Sequence, residues 1–179
     1  MPRITPVSTE DAQGIVKEGY EIFLTNYGTI PKPILMISVS PDLFDLQLKR
    51  NRYLATKSNL SFSLLAHIRY LAACHLDYRF CQDFNRDQLK RQGLTDEDLR
   101  KLEEDPSQSL LEEHEGAMLA FVIKALKAPS SITDEDINTL RTYNWTDRDM
   151  VDAMKQGVSM IDHAIMMQVF DMDPDCLAG

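Results

Sequence analysis

Residues 60–92 contain neither proline nor glycine. Nothing in that run removes a backbone donor or adds glycine's freedom, so the sequence predicts one long helix ended by Gly93. Leu64, His67, Leu71, Cys74, Tyr78 and Cys81 recur at alternating steps of three and four. That is a heptad-like stripe, the seam by which a helix packs on another helix.

The rest of the chain reads as helix too. Ser8 or Thr9 suits the cap of a first helix, with Glu10 and Asp11 at its positive end and Gly28 as its stop. Ile34 to Ile37 is a short apolar segment that periodicity alone leaves open between a strand and a helical turn. Ser40-Pro41-Asp42 fits a cap with proline at the first helical position. It opens a helix whose expected buried face is Leu43, Phe44, Leu46, Leu48 and Tyr53. Thr95-Asp96-Glu97-Asp98, Thr133-Asp134-Glu135-Asp136 and Thr146-Asp147-Arg148-Asp149 repeat one helix start, a threonine cap followed by first-turn acids. They lack the turn glycine and alternating oxygen ligands of calcium loops. Residues 110–128, 133–143 and 146–170 are the expected C-terminal helices. The last carries Met150, Val151, Met154, Val158, Ile161, Ile165 and Val169 at helical spacing, and its five methionines are read as core filler. The tail MDPDCLAG is expected to be loose. Strand signals are almost absent and no linker interrupts the chain, so the expectation is one all-α bundle over residues 1–179.

The formal net charge of −9 speaks against a nucleic-acid surface and against adsorption to anionic lipid. No apolar run approaches a membrane span, and MPRITPVSTEDAQ lacks the apolar core of a secretory signal. Three cysteines do not make a disulfide scaffold, and a reducing cytoplasm is the expected compartment. No cofactor motif is present, and no cofactor is expected.

AACHLDYRFCQDFN holds the residues of most chemical interest. On a continuous helix Cys74 and Cys81 lie about 10 Å apart, beyond the roughly 7 Å between Cα atoms that a disulfide spans. His67, Cys74 and Cys81 repeat every seven residues, whereas chelating pairs on one helix sit three or four apart, so no metal is expected. His67, His75 and His163 read as interior or interface histidines, and His114, in LEEHEG, as solvent-facing.

Read in order, four stretches resemble the alkylhydroperoxidase D-like superfamily, which includes the carboxymuconolactone decarboxylases. They are GTIPKPILMISVSPDLF, LSFSLLAHIRYLAACHLDYRFCQDF, GLTDEDLRKL and the C-terminal half from HEGAMLAF to VFDMD, together about residues 12–173. The resemblance implies an all-α, oligomeric protein: a dimer, trimer or hexamer. It also implies a redox helix carrying Glu, Cys-x-x-Cys and His, whose paired thiols reduce peroxide while Glu and His relay protons. Threaded onto that pattern, Cys81 is the retained cysteine, Tyr78 replaces the first cysteine, Asn85 the histidine and Ala66 the glutamate. A one-residue slip puts His67 at the glutamate position but creates no cysteine pair. Asp77 and Asp83, if close, would raise the Cys81 pKa.

The leading expectation is therefore a member without dithiol peroxidase activity, binding a small ligand or a partner in a cleft lined by Tyr78, Cys81, Asn85 and His75. The alternatives are a one-cysteine peroxidase using Cys81, a lactone decarboxylase-like acid/base enzyme using His67 or His75, and an assembly protein with no small-molecule site.

Overall fold

The computed structural model describes residues 2–76 and 79–172, and among these every regular element is helical. The expected all-α class is the one observed. The chain divides into two compact units, Met1–Lys57 with Ile165–Gly179 and Ser58–Ala164. No change in composition marks either boundary, and the second falls inside a continuous helix.

In the first unit, α1 (Gly14–Tyr27), α2 (Lys32–Ile37) and α3 (Pro41–Thr56) enclose a core of Val16, Tyr20, Phe23, Ile30, Ile34 and Phe44. The open segment at Ile34 to Ile37 is thus helical. Ser8 accepts a hydrogen bond from the Asp11 amide in a local turn, and α1 begins only at Gly14, later than the sequence reading placed it. Gly19 permits the closest approach in this core, since a Cβ there would sit 2.3 Å from Phe44 Cε1. Gly28 takes φ +73° and ends α1 through its amide on the Leu24 carbonyl. On α3 only Phe44 and Leu54 are buried, while Leu43 and Leu46 stand exposed. The expected apolar face was too wide: Leu48 and Tyr53 are half-buried, and one large side chain, Phe44 set edge-on to Tyr20, fills this small core.

The second unit is built around α4 (Phe62–His75), which Ser61 caps by accepting from the Leu64 amide at 3.0 Å. Leu64, Ala66, His67, Ile68, Tyr70, Ala72 and Ala73 are all buried, so this helix is covered on nearly every side. The long helix expected over residues 60–92 does not form. The α4 helix ends at His75, and α5 (Arg79–Arg91) folds back antiparallel on it. Arg69 Nε donates to Asn85 Oδ1 at 3.0 Å, and Gln82 Nε2 donates to the Ala73 carbonyl at 3.3 Å. On one straight helix residues 69 and 85 would stand about 24 Å apart.

Around this hairpin lie α6 (Asp96–Glu104), α7 (Glu113–Lys127), α8 (Asp134–Thr142) and α9 (Asp147–Val169). All three threonine repeats are capping boxes. Thr95, Thr133 and Thr146 each accept from the amide three residues on, and Asp98, Asp136 and Asp149 each return a bond to the threonine amide. A second box partner makes the last the deepest: Asp149 is buried and also accepts from Asn59 Nδ2 at 3.0 Å. Gly157 lets α9 close on α7, where a Cβ would meet Val122 Cγ1 at 2.9 Å. Met150, Met160 and Met167 are buried as core filler, but Val151, Val158, Ile165 and Val169 are exposed. The buried side of α9 is instead completed by Ala153, Gln156, Ser159 and Ala164.

Candidate functional site

The α4–α5 hairpin carries most residues singled out in the sequence. Cys81, one turn into α5, is 4 % exposed and packs with Ala72, Ala73 and Met160. Burial alone pushes its thiol up to about 12. Loss of hydration raises this thiol, rather than a nearby aspartate, because a thiolate in an apolar cluster has no compensating donor. Asn85, buried one turn further on, is fully engaged: its Nδ2 donates to the Cys81 carbonyl at 2.7 Å and its Oδ1 accepts from Arg69. Ala66 is buried in α4. Tyr78 lies outside the described residues, as do Asp77 and Cys176.

His67 is fully buried. Its Nδ1–H donates to the Ser63 carbonyl at 2.8 Å, and Nε2 has no partner among the described residues. Burial lowers its pKa, against smaller upward pulls from the Ser63 carbonyl and Glu115, so this imidazole stays neutral. His114 stacks at a tilt on Trp145, whose Nε1 donates to the His114 carbonyl, and so is held as structure. His163 is half-buried on α9. No group of three His, Cys, Asp or Glu side chains is placed to hold a metal among the described residues.

Cys74 has a different setting. Because the hairpin folds back, Cys74 at the end of α4 lies near the level of Cys81 at the start of α5. The separation along one helix that seemed to exclude a disulfide therefore falls away. Both are free thiols with different surroundings. Cys74 faces the network of Tyr70, Glu103 and Arg86. The fully buried Tyr70 hydroxyl donates to Glu103 Oε1, and Arg86 Nη2 donates to the same carboxylate oxygen at 3.2 Å and to the Tyr70 oxygen at 3.3 Å. Burial, then the Glu103 charge, push the Cys74 thiol up to about 11, against the Tyr70 hydrogen bond and the Arg86 charge. Burial and the Glu103 bond raise the Tyr70 hydroxyl as well, so the phenol stays protonated and remains a donor.

Cys74 also lines a half-open cleft of about 310 Å³ with Leu71, His75, Glu103, Pro106, Ile123 and Lys127. The end of α4 supplies Leu71, Cys74 and His75. Glu103 and Pro106 come from the end of α6 and the short turn after it, and Ile123 and Lys127 from the end of α7. Leu71, Pro106 and Ile123 give an apolar floor; His75, Glu103 and Lys127 give polar groups of both signs around it. Of the four residues expected to line a cleft, His75 does so, Cys81 and Asn85 are buried in the hairpin, and Tyr78 lies outside the described residues. Glu103, Lys127, Tyr70 and Arg86 were not singled out in the sequence. They lie up to 53 positions from Cys74 in the chain, and nothing short of the hairpin geometry brings them together.

No family model and no curated protein sequence matches this chain. Solved structures do. One, described as an alkylhydroperoxidase AhpD core, is an uncharacterized peroxidase-related protein from Ralstonia eutropha. It superposes with a TM-score of 0.79 and 17 % identity over 97 % of this chain and 92 % of its own. The chain has an AhpD-like fold. A second match, an uncharacterized peroxidase-related protein from Silicibacter, gives a TM-score of 0.73 and 16 % identity over 97 % of this chain and 93 % of that one. At such identity the AhpD-like likeness establishes the fold, and chemistry must be argued from the side chains themselves.

Proposed function

We propose that this AhpD-like protein is a divergent member of the alkylhydroperoxidase D-like and carboxymuconolactone decarboxylase group. It lacks dithiol peroxidase chemistry and binds a small molecule in the cleft at the end of α4. The observation that carries the reading is the contrast between the two thiols. Cys81, the cysteine retained from the redox pattern, is sealed in an apolar cluster, and the position three residues before it, where the pattern has its first thiol, holds tyrosine. Cys74 instead borders the open, mixed-polarity cleft. A two-electron thiol cycle needs an accessible attacking thiolate, and burial keeps the Cys81 thiol protonated and away from solvent.

The cleft suits a small molecule with an apolar body and an anionic end. Leu71, Pro106 and Ile123 cover the body. Lys127, exposed at the last turn of α7 with no ion pair among the described residues, meets the anion. Glu103 is already occupied by Arg86 and Tyr70, which reduces its repulsion of that anion. His75 at the same cleft favours a second reading, an acid/base enzyme, because its exposed imidazole borders the space a bound molecule would occupy. The fully buried His67 does not support that role.

Two measurements test the proposal. Dithiol-dependent consumption of an organic hydroperoxide should be no faster with wild type than with the Cys74→Ser/Cys81→Ser variant; turnover abolished by Cys81→Ser overturns the loss of peroxidase chemistry. Thermal shift with small aliphatic and aromatic carboxylates should stabilise the wild type, and Lys127→Ala should lose that stabilisation. Equal shifts in both proteins refute the assigned cleft.

A further inference from the structure

Two opposite charges line the cleft at the end of α4, Glu103 from the end of α6 and Lys127 from the last turn of α7. No ion pair joins them among the described residues, so each is open to a third group. The Glu103 carboxylate is held by one oxygen only. Tyr70 and Arg86 Nη2 both donate to Oε1, Arg86 at 3.2 Å, and Oε2 accepts no bond from the described residues. An ionised carboxylate is an acceptor on both oxygens, so half of its capacity is unused. The two bonds also order the side chain, and a donor arriving from the cleft need not do so. On α7 the nearby Lys124 is taken by Asp136, with Nζ 2.7 Å from Oδ1, which leaves Lys127 as the open cation of that helix end. Buried Leu71 and Ile123 and half-buried Pro106 add three apolar side chains to the same lining.

We propose that the cleft takes a zwitterion: an amino carboxylate with a short hydrocarbon chain, its carboxylate on Lys127 and its ammonium on Glu103. The inference rests on this cleft being the binding site proposed above, and it adds the chemistry of the ligand's second end. A ligand with a methyl end would take water from Glu103 and give nothing back. An ammonium brings three donors to an ionised acceptor with open lone pairs. The hydrocarbon chain covers Leu71, Pro106 and Ile123 in either case, so a plain carboxylate binds too, but less tightly. The gain at the second end is limited. The Glu103 side chain is 37 % exposed, Arg86 already offsets part of its charge, and an ammonium gives up hydration on entry. The expected preference over the matching unsubstituted carboxylate is therefore about fivefold, the upper end for a solvent-accessible ion pair.

Isothermal titration calorimetry on the full chain tests this. The probes are straight-chain ω-amino carboxylates of about four to seven carbons, each beside its unsubstituted and its ω-hydroxy carboxylate. In the wild type the best amino carboxylate binds about fivefold tighter than its unsubstituted partner, and also tighter than the hydroxy compound. Glu103→Gln, which keeps the shape and removes the charge, brings the ratio of amino to unsubstituted affinity to about one. Lys127→Ala weakens both ligands and keeps the ratio. That split assigns the two ends separately, and misfolding would not produce it. The wild-type comparison needs no variant. Unsubstituted or hydroxy carboxylates that bind as tightly as the amino compounds overturn the zwitterion while the cleft reading stands. A ratio that Glu103→Gln leaves unchanged overturns the placement of the ammonium. Absence of binding by every carboxylate overturns the cleft reading and this inference with it.

Discussion

Tyr70→Phe isolates one interaction of the network beside the cleft. Tyr70 is fully buried and its ring packs in α4, so phenylalanine fills the same space and leaves no cavity. What is lost is one hydroxyl, which donates to the Glu103 carboxylate and accepts from Arg86. A hydrogen bond to a charged group contributes about 1.5–3 kcal/mol. The lower end applies, because the Glu103 and Arg86 side chains are 37 % and 42 % exposed and water replaces part of what the hydroxyl gave. The remaining Arg86–Glu103 pair, at 3.2 Å and half-exposed, offsets little of the loss. The expected destabilisation is about 1.5 kcal/mol, or a fall in Tm of about 3–6 °C for a chain of this length. Urea unfolding should show a lower midpoint with unchanged m-value. In a Glu103→Gln background the same substitution should cost about half as much, since a neutral acceptor makes a weaker bond. A change below about 0.5 kcal/mol, or an equal cost in both backgrounds, would refute the account of this network.

Gly19→Ala should destabilise by about 1–3 kcal/mol despite alanine's better helix propensity, because the new Cβ meets the Phe44 ring at 2.3 Å; chemical denaturation reads this directly. Asp149 should contribute to acid unfolding. Burial acts to raise its pKa, but the hydrogen bonds from Thr146 and Asn59 prevail and hold it below the ordinary 3.8. A depressed carboxyl adds stability that is complete above its unfolded value and is lost as pH falls through the folded one. Wild type should therefore lose Tm below about pH 4 more steeply than Asp149→Asn, as differential scanning fluorimetry across that range will show.

Local chemistry made much of the fold legible. Three threonine–aspartate repeats predicted three helix starts, and all three form capping boxes, because a cap is satisfied within four residues. The hairpin break was not legible, since no proline or glycine marks it. The only trace is compositional: FSLLAHIRYLAACH is mostly apolar, while RFCQDFNRDQLKR is largely polar, as suits a central helix followed by an outer one. The periodicity of Leu64, His67, Leu71 and Cys74 holds within α4, but the stripe does not run on to Cys81 in α5. The cleft was hidden for the same reason, since Cys74 meets Glu103 and Lys127 only once α6 and α7 close around the end of α4.

The central claim is that the thiol facing the open site is Cys74 and that the retained motif cysteine is sealed. Iodoacetamide alkylation of the native protein in a Cys176→Ser background, followed by peptide mass spectrometry, tests it most directly. Cys74 should be alkylated first, with a rate that climbs with pH toward its pKa of about 11, while Cys81 reacts only once the protein is unfolded. Alkylation of Cys81 in the native protein at a rate equal to or above that of Cys74 would contradict the account.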